Sequence, residues 1–434
     1  MRFESWVDNG SLFIKGELVE EHGDSVIGPR FQGPFDELEM VNDTVFYSFV
    51  PSSLHPDTLA LACYHLFFPW IGNKVEFPNP VSPRVLELVN YPTYSRFKGE
   101  IEVLNCSDEI KPFEREKGSE IDFEDIAISF GGGVDSTALH AIFPEAMLIH
   151  EVPTDDPRAD VSKRGAVSSM VKFQEKSNTP YQVVKTNSRL LSKPNGVTSW
   201  LSPMIPSVLV AAENKKKSLL LGSNLGTLFL KDGLRYAPAH KIPNLARDSL
   251  AEVSVDIIQA SGGISQYMAT KISADSGLTT FLNFCESGEN ARPCSRCLKC
   301  LRRELMYRCL VVENGAIHNL SDFPMDTSTF IEKYNLERAL SRFAPGNHEP
   351  YTHVFSFSRD TMGVDFPIEL MDLCVNSPPA DFMRYWPPEA DEIFPPGYGN
   401  ILKRIKSSIP EMPQHEQAIF RSWKSVDFME INAN

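Results

Sequence analysis

The sequence predicts an α/β protein with a doubly wound parallel sheet, preceded by a mixed α/β extension and followed by a helical one. Three observations lead there. From residue 126 onward, short apolar runs alternate with longer helical segments, the rhythm of β-α-β units. The first of those runs ends in three consecutive glycines followed by a helix-forming segment. The length of 434 residues exceeds the size at which one hydrophobic core keeps growing, so two or three structural units are expected.

The first expected unit is 1–122. Runs at 11–18 and 44–50 are apolar or alternating, and Gly28-Pro29 and Gly33-Pro34 punctuate them, which reads as mixed structure containing strands. The most apolar stretch, 59–72, is broken by His65 and Pro69. It falls short of the roughly 18–20 residues needed to cross a membrane and reads as core. Between 108 and 125 charge becomes dense and core anchors become few, which places a linker there.

The second unit is 123–310. Strands are expected at 126–130, 147–151, 181–185 and 218–222, with helices at 134–142, 164–175 and 205–213, each long enough to cross over a sheet. Right-handed crossovers would wind such a sheet on both faces. The third unit, 311–434, carries acidic and aromatic stretches, Trp386-Pro387-Pro388, Phe394-Pro395-Pro396-Gly397 and mixed charge at 401–409, and reads as helical and irregular. No fixed-period repeat is present, which sets aside solenoids and propellers.

Hydrophobic residues make up 42% and charged residues 23%, close to folded globular chains and far from disordered ones. A net charge of −15 with a pI near 5.2 supplies no long-range field for polyanions, so nucleic acid is not an expected partner. The first residues lack a basic stretch followed by an apolar one, and the expected compartment is the cytoplasm. Four of the eight cysteines crowd into 285–300, which in a reducing compartment favours metal over disulfides.

The run Ser129, Phe130, Gly131, Gly132, Gly133, Val134, Asp135, Ser136, Thr137 is a candidate anion cradle. Glycines let main chain approach phosphate oxygens, and the free amides and positive dipole end of the next helix favour negative charge. Ser136 and Thr137 can add hydroxyl donors. Asp135 can orient a phosphate-bound Mg²⁺. The same residues also make a plain strand-to-helix turn, with Asp135 and Ser136 as helix-start residues.

Cys285, Cys294, Cys297 and Cys300 have the spacing C-x8-C-x2-C-x2-C, which fits one tetrahedral Zn²⁺. With four protein ligands the ion would be structural. An iron–sulfur cluster uses the same ligand set.

Residues 130–137 resemble the Ser-Gly-Gly-x-Asp-Ser signature of the PP-loop, or N-type ATP pyrophosphatase, family, with Gly131 standing where that signature has its first serine. The resemblance implies an adenine-nucleotide α-hydrolase-like fold and cleavage of ATP between its α and β phosphates. Substrate oxygen would be adenylated and pyrophosphate released before a nucleophile displaces AMP. Together with the cysteine spacing, Leu220-Leu-Gly222-Ser-Asn224 and Leu278-Thr-Thr-Phe, the match over 124–306 is similar to the 7-cyano-7-deazaguanine synthase family, which converts a carboxylate to a nitrile with ammonia and ATP.

What the resemblance implies is a ligase that adenylates a carboxylate or carbonyl oxygen and passes it to ammonia or an amine. Asp135 and Ser136 would be catalytic. ATP would be held by 129–137, His150, Gly222 and Asn224, with Mg²⁺, and Zn²⁺ would sit at the four cysteines. The tyrosine- and aspartate-rich segment of that family after Gly-x-Asn is replaced here by Leu225-Gly-Thr-Leu-Phe-Leu-Lys-Asp-Gly-Leu-Arg235. The long flanks point to an acceptor larger than a free base, a small molecule, modified base or peptide, with a homodimer allowed. Two other readings stay open: sulfur insertion into a nucleobase, and a nucleotide-binding scaffold or sensor without turnover.

Overall fold

The computed structural model describes residues 1–29, 37–91, 99–114, 120–161, 167, 179–193, 202–231, 235–237, 249–278, 298–314, 352–362 and 379–423. Eight strands form the principal sheet: β1 (Arg2–Asp8), β2 (Ser11–Glu17), β3 (Thr44–Tyr47), β4 (Ile126–Ser129), β5 (Met147–Pro153), β6 (Tyr181–Thr186), β7 (Ser218–Leu221) and β8 (Asp256–Ile258). Their spatial order is β1-β2-β3-β6-β5-β4-β7-β8. The five strands from β6 to β8 pair in parallel. The three N-terminal strands are added antiparallel along the β6 edge. The protein is therefore a mixed α/β protein with a large, mostly parallel sheet.

The parallel strands are apolar on consecutive residues because both faces of the sheet are covered. Alternation along each strand divides those residues between two cores. Ile126 and Ile128 of β4, Leu148 of β5, Leu220 of β7 and Ile258 of β8 face one core. Ala127, Ile149, Leu219, Leu221 and Ile257, one residue along in the same strands, face the other.

Ten described helices flank the sheet: α1 (Pro56–Phe67), α2 (Pro83–Val89), α3 (Val134–Ile142), α4 (Ile205–Glu213), α5 (Leu225–Phe229), α6 (Gln266–Asp275), α7 (Leu298–Asn314), α8 (Thr352–Met362), α9 (Gly399–Lys406) and α10 (Gln414–Ser422). Residues of α1, α2 and α4 fill the core on the Ala127 face. Residues of α3, α6, α7 and α8 fill the Ile128 face, joined there by Phe382, Trp386, Tyr398, Phe420 and Trp423 of the C-terminal segment. That segment therefore completes the core beside α3.

Helices α3 and α4 occupy the expected 134–142 and 205–213. The expected helix at 164–175 lies outside the described residues except Val167, which packs with Val152 and Val161. Strand β4 stops at Ser129, one residue before the expected end, and β5 runs on to Pro153, two residues past it. Strands β1 and β8 were not expected. The apolar stretch 59–72 is largely α1, buried on all sides, so it shows no clean amphipathic period. Strands of the N-terminal region extend the principal sheet and share its core, which covers the β6 edge that five parallel strands alone would leave open. Among the described residues, no helix is long and apolar enough to cross a membrane.

Candidate functional site

Within the parallel part of the sheet, chain order runs outward from β4 in both directions: β5 and β6 on one side, β7 and β8 on the other. The order reverses between β4 and β7, and crevices at such reversals, beyond the carboxyl ends of the strands, are where open α/β sheets bind ligands. Two of the segments read from the sequence meet there. The glycine turn follows β4, and Gly222-Ser-Asn224 follows β7, whose Leu221 lies opposite Ser129.

The turn is built from its glycines. Phe130 continues the β4 ladder by donating its N–H to the Ile149 carbonyl at 2.8 Å. Gly132 then takes φ +69°, a left-handed backbone that a side chain disfavours, and Gly133 returns to extended geometry as the N-cap of α3. The Ser136 and Thr137 hydroxyls donate back to the Gly133 carbonyl at 3.1 and 2.9 Å, closing the first helical turn. The first amides of α3 have no partner within the helix. They and the helix dipole, more than the hydroxyls, are the donors available to an anion.

Gly222 makes the meeting of the two loops possible. A Cβ placed on it would lie 3.0 Å from the Ser136 nitrogen and 3.3 Å from the Asp135 Cβ. Asn224 caps α5, its Oδ1 accepting from the Thr227 N–H at 3.2 Å and from the Thr227 hydroxyl at 3.3 Å. With Oδ1 so engaged, its Nδ2 is free to donate to Asp135 Oδ2 at 3.3 Å. Asp135 Oδ1 is enclosed and has no hydrogen-bond partner among the described residues. Burial pushes the Asp135 carboxyl up to about 6, against the opposing pull of the Arg302 charge and the Asn224 hydrogen bond. Arg302 comes from α7, which begins at Leu298.

His150 is buried, with Nδ1 2.8 Å from the Phe130 carbonyl. Since a carbonyl only accepts, Nδ1 carries the proton. Burial holds the imidazole near 4, so it is neutral at pH 7. Its ring ties β5 to the start of the glycine turn. The Ser129 hydroxyl sits on the other face, 3.2 Å from that of Ser207 on α4.

The structure thus brings Ser129, Phe130, Gly131, Gly132, Gly133, Val134, Asp135, Ser136 and Thr137 together with Gly222 and Asn224, and with His150 behind them. Of the cysteines, Cys285, Cys294 and Cys297 lie outside the described residues. Cys300 is buried in the first turn of α7. Among the described residues no group of three or more potential metal ligands occurs. Arg302 was missed because a single arginine after a cysteine cluster has no distinguishing spacing.

The model of one family, Family of unknown function (DUF6395), matches residues 246–424. That match takes in β8, α6, α7 and the C-terminal helices, less than half of the 434 residues, and leaves the glycine turn outside. No curated protein and no solved structure matches the chain.

Proposed function

We propose that the chain is an ATP-using enzyme of the PP-loop type, which adenylates a carboxylate or carbonyl oxygen of its substrate with release of pyrophosphate and passes the activated group to ammonia or an amine. The observation that carries this reading is the convergence at the sheet's order reversal. A glycine turn at a helix N-terminus, the Gly222-x-Asn224 turn and a buried carboxylate meet at the carboxyl ends of β4 and β7. The doubly wound arrangement expected of that family is in keeping with helices on both faces and the outward order of the parallel strands.

In this reading the amides at the start of α3 hold phosphate oxygens, and the left-handed Gly132 keeps side chains away from them. Asp135 Oδ1, a buried acceptor without a hydrogen-bond partner among the described residues, fits a Mg²⁺ held with the phosphates, and such an ion would offset charge on the departing pyrophosphate. Asn224 orients that carboxylate, and Arg302 adds positive charge beside it. Ser136 can turn its hydroxyl from Gly133 toward a phosphate oxygen. The C-x8-C-x2-C-x2-C spacing, whose last cysteine, Cys300, lies in the first turn of the Arg302 helix, suits four thiolates on one structural zinc ion.

The test is pyrophosphate release from ATP, measured across a panel of carboxylates with ammonium present. Release that depends on a carboxylate and is lost in Asp135→Asn is the expected result. Absence of ATP binding by the purified chain sinks the reading. A second reading, a nucleotide-binding scaffold without turnover, is favoured by one observation: Gly131 bears no hydroxyl, and those of Ser136 and Thr137 are bonded to Gly133. Tight ATP binding without pyrophosphate release selects it.

A further inference from the structure

The outermost strand of the principal sheet is open along its second half. Strand β1 pairs with β2 on one side. On the other side the Phe3 N–H donates to the Glu76 carbonyl at 2.8 Å, and the Glu76 N–H donates to the Met1 carbonyl at 2.9 Å. The main-chain groups of these odd-numbered residues therefore point away from β2, and strand alternation sends those of Ser5 and Val7 the same way. Among the described residues nothing pairs with Ser5 or Val7 on that side.

Native sheet edges are ordinarily blunted by lysine, proline, a bulge or a covering segment. Strand β1 contains no lysine or proline and pairs with β2 without a bulge. Its Trp6 and Val7 are 41% and 50% exposed. The Trp6 ring stacks on Phe13 of β2, with centroids 5.3 Å apart and 6° between the planes, and Phe13 lies 6.1 Å from Phe46 of β3. That aromatic row holds the indole in place beside the open edge. Alternation puts Glu4 and Asp8, both exposed, on the same face as Trp6. Arg2 is engaged by Glu76, Nε to Oε2 at 2.9 Å, and Lys15, across from Glu4 on β2, stands on the side away from the open edge. The open stretch thus presents acid, indole and acid at alternate positions.

Such a row suits an added strand with Lys or Arg opposite Glu4 and Asp8 and an apolar residue opposite Trp6, where a cation also gains from the indole face. A second copy of the chain fits less well. The antiparallel register that engages Ser5 and Val7 of both copies sets Glu4 of each against Asp8 of the other, like charge on like charge. We propose that the edge of β1 at residues 5–7 is a docking site for an extended cationic segment of a partner protein, of the pattern basic-x-apolar-x-basic, bound by strand addition. The net charge of −15 favours the approach of such a segment. The site stands apart from the glycine turn, which follows β4 further along the sheet.

The site is tested on the 434-residue chain with the fluorescein-labelled peptide Thr-Lys-Thr-Val-Thr-Lys-Thr, followed by anisotropy at low ionic strength, with Thr-Glu-Thr-Val-Thr-Glu-Thr as the control. Saturable binding of the basic peptide alone is expected. Val7→Pro removes an outward N–H, which an edge strand tolerates, and should weaken binding at least about fivefold. The paired change Glu4→Gln and Asp8→Asn leaves the backbone as it is and should weaken binding about 2- to 10-fold. An unchanged melting temperature reports an intact fold in each variant, and the paired variant decides if Val7→Pro does not fold. Wild-type chain that binds neither peptide, or binds both equally, overturns the proposal, as does undiminished binding by the paired variant. A wild-type dimer in sedimentation that Val7→Pro converts to monomer assigns the edge to a second copy and also overturns it.

Discussion

Asn224 Nδ2 donates to Asp135 Oδ2 at 3.3 Å, joining the turn after β7 to the first turn of α3 across 89 residues of sequence. The contact holds the carboxylate in place while leaving its second oxygen enclosed and without a partner among the described residues. A buried charge that a fold leaves half-satisfied lowers stability, and such costs concentrate where binding or catalysis requires them.

Asp135→Asn should therefore stabilise the nucleotide-free chain at pH 7 by roughly 1–3 kcal/mol while abolishing Mg²⁺-dependent ATP binding. The folded chain holds this proton more tightly than the unfolded one. Its contribution is fully present below about 4 and declines as pH rises through about 6, from a reference value of 3.8. Chemical denaturation in magnesium-free buffer at pH 4.5 and 7.5 checks it. The stability advantage of the variant should be larger at pH 7.5.

The glycines of the turn should differ sharply from one another. Gly132→Ala forces a side chain into a left-handed backbone and should cost about 1–2 kcal/mol, with loss of ATP affinity. A Cβ on Gly131 meets nothing within 4 Å. Gly131→Ser should fold normally and tighten ATP about 2- to 10-fold through one added hydroxyl, as read by calorimetry.

For Asn224, the two neighbouring chemistries can be separated. Asn224→Ala removes the α5 cap and the Asp135 contact and should cost about 1–2 kcal/mol in urea unfolding. Asn224→Asp keeps an oxygen for Thr227 but sets a second carboxylate against Asp135, raising the Asp135 carboxyl further. That variant should lose ATP affinity at pH 7 with less loss of stability than Asn224→Ala.

Elemental analysis of the purified chain should find one zinc and no iron, in a colourless preparation. Cys297→Ser should release the metal and lower the melting temperature. ATP affinity should fall with it, because α7, which carries Arg302, begins at Leu298.

The C-terminal segment packs as core, and Gly263 reports it. A Cβ there would come within 2.6 Å of both the Ala390 Cβ and the Trp386 ring. Gly263→Ala should cost about 1–3 kcal/mol and expose Trp386, seen as a red shift in its fluorescence.

Local chemistry made much of the site legible in advance. Glycine spacing, a helix-start aspartate and apolar runs bounded by turns act over a few residues, so the glycine turn, α3, α4 and four parallel strands could be placed from sequence with errors of one or two residues. The pairing of Gly222 and Asn224 with that turn was reached through resemblance, and the 3.0 Å approach to Ser136 gives it a physical reason.

What tertiary structure alone decided is which distant segments share a surface. Strands β1, β2 and β3 carry no mark saying whether they close a sheet of their own or extend another one, because edge pairing depends on backbone groups that every residue has. The same holds for Arg302 beside Asp135 and for Arg189 beside Glu151. Each is an ordinary residue in its own stretch of chain and acquires its chemistry only from burial and from neighbours that folding supplies.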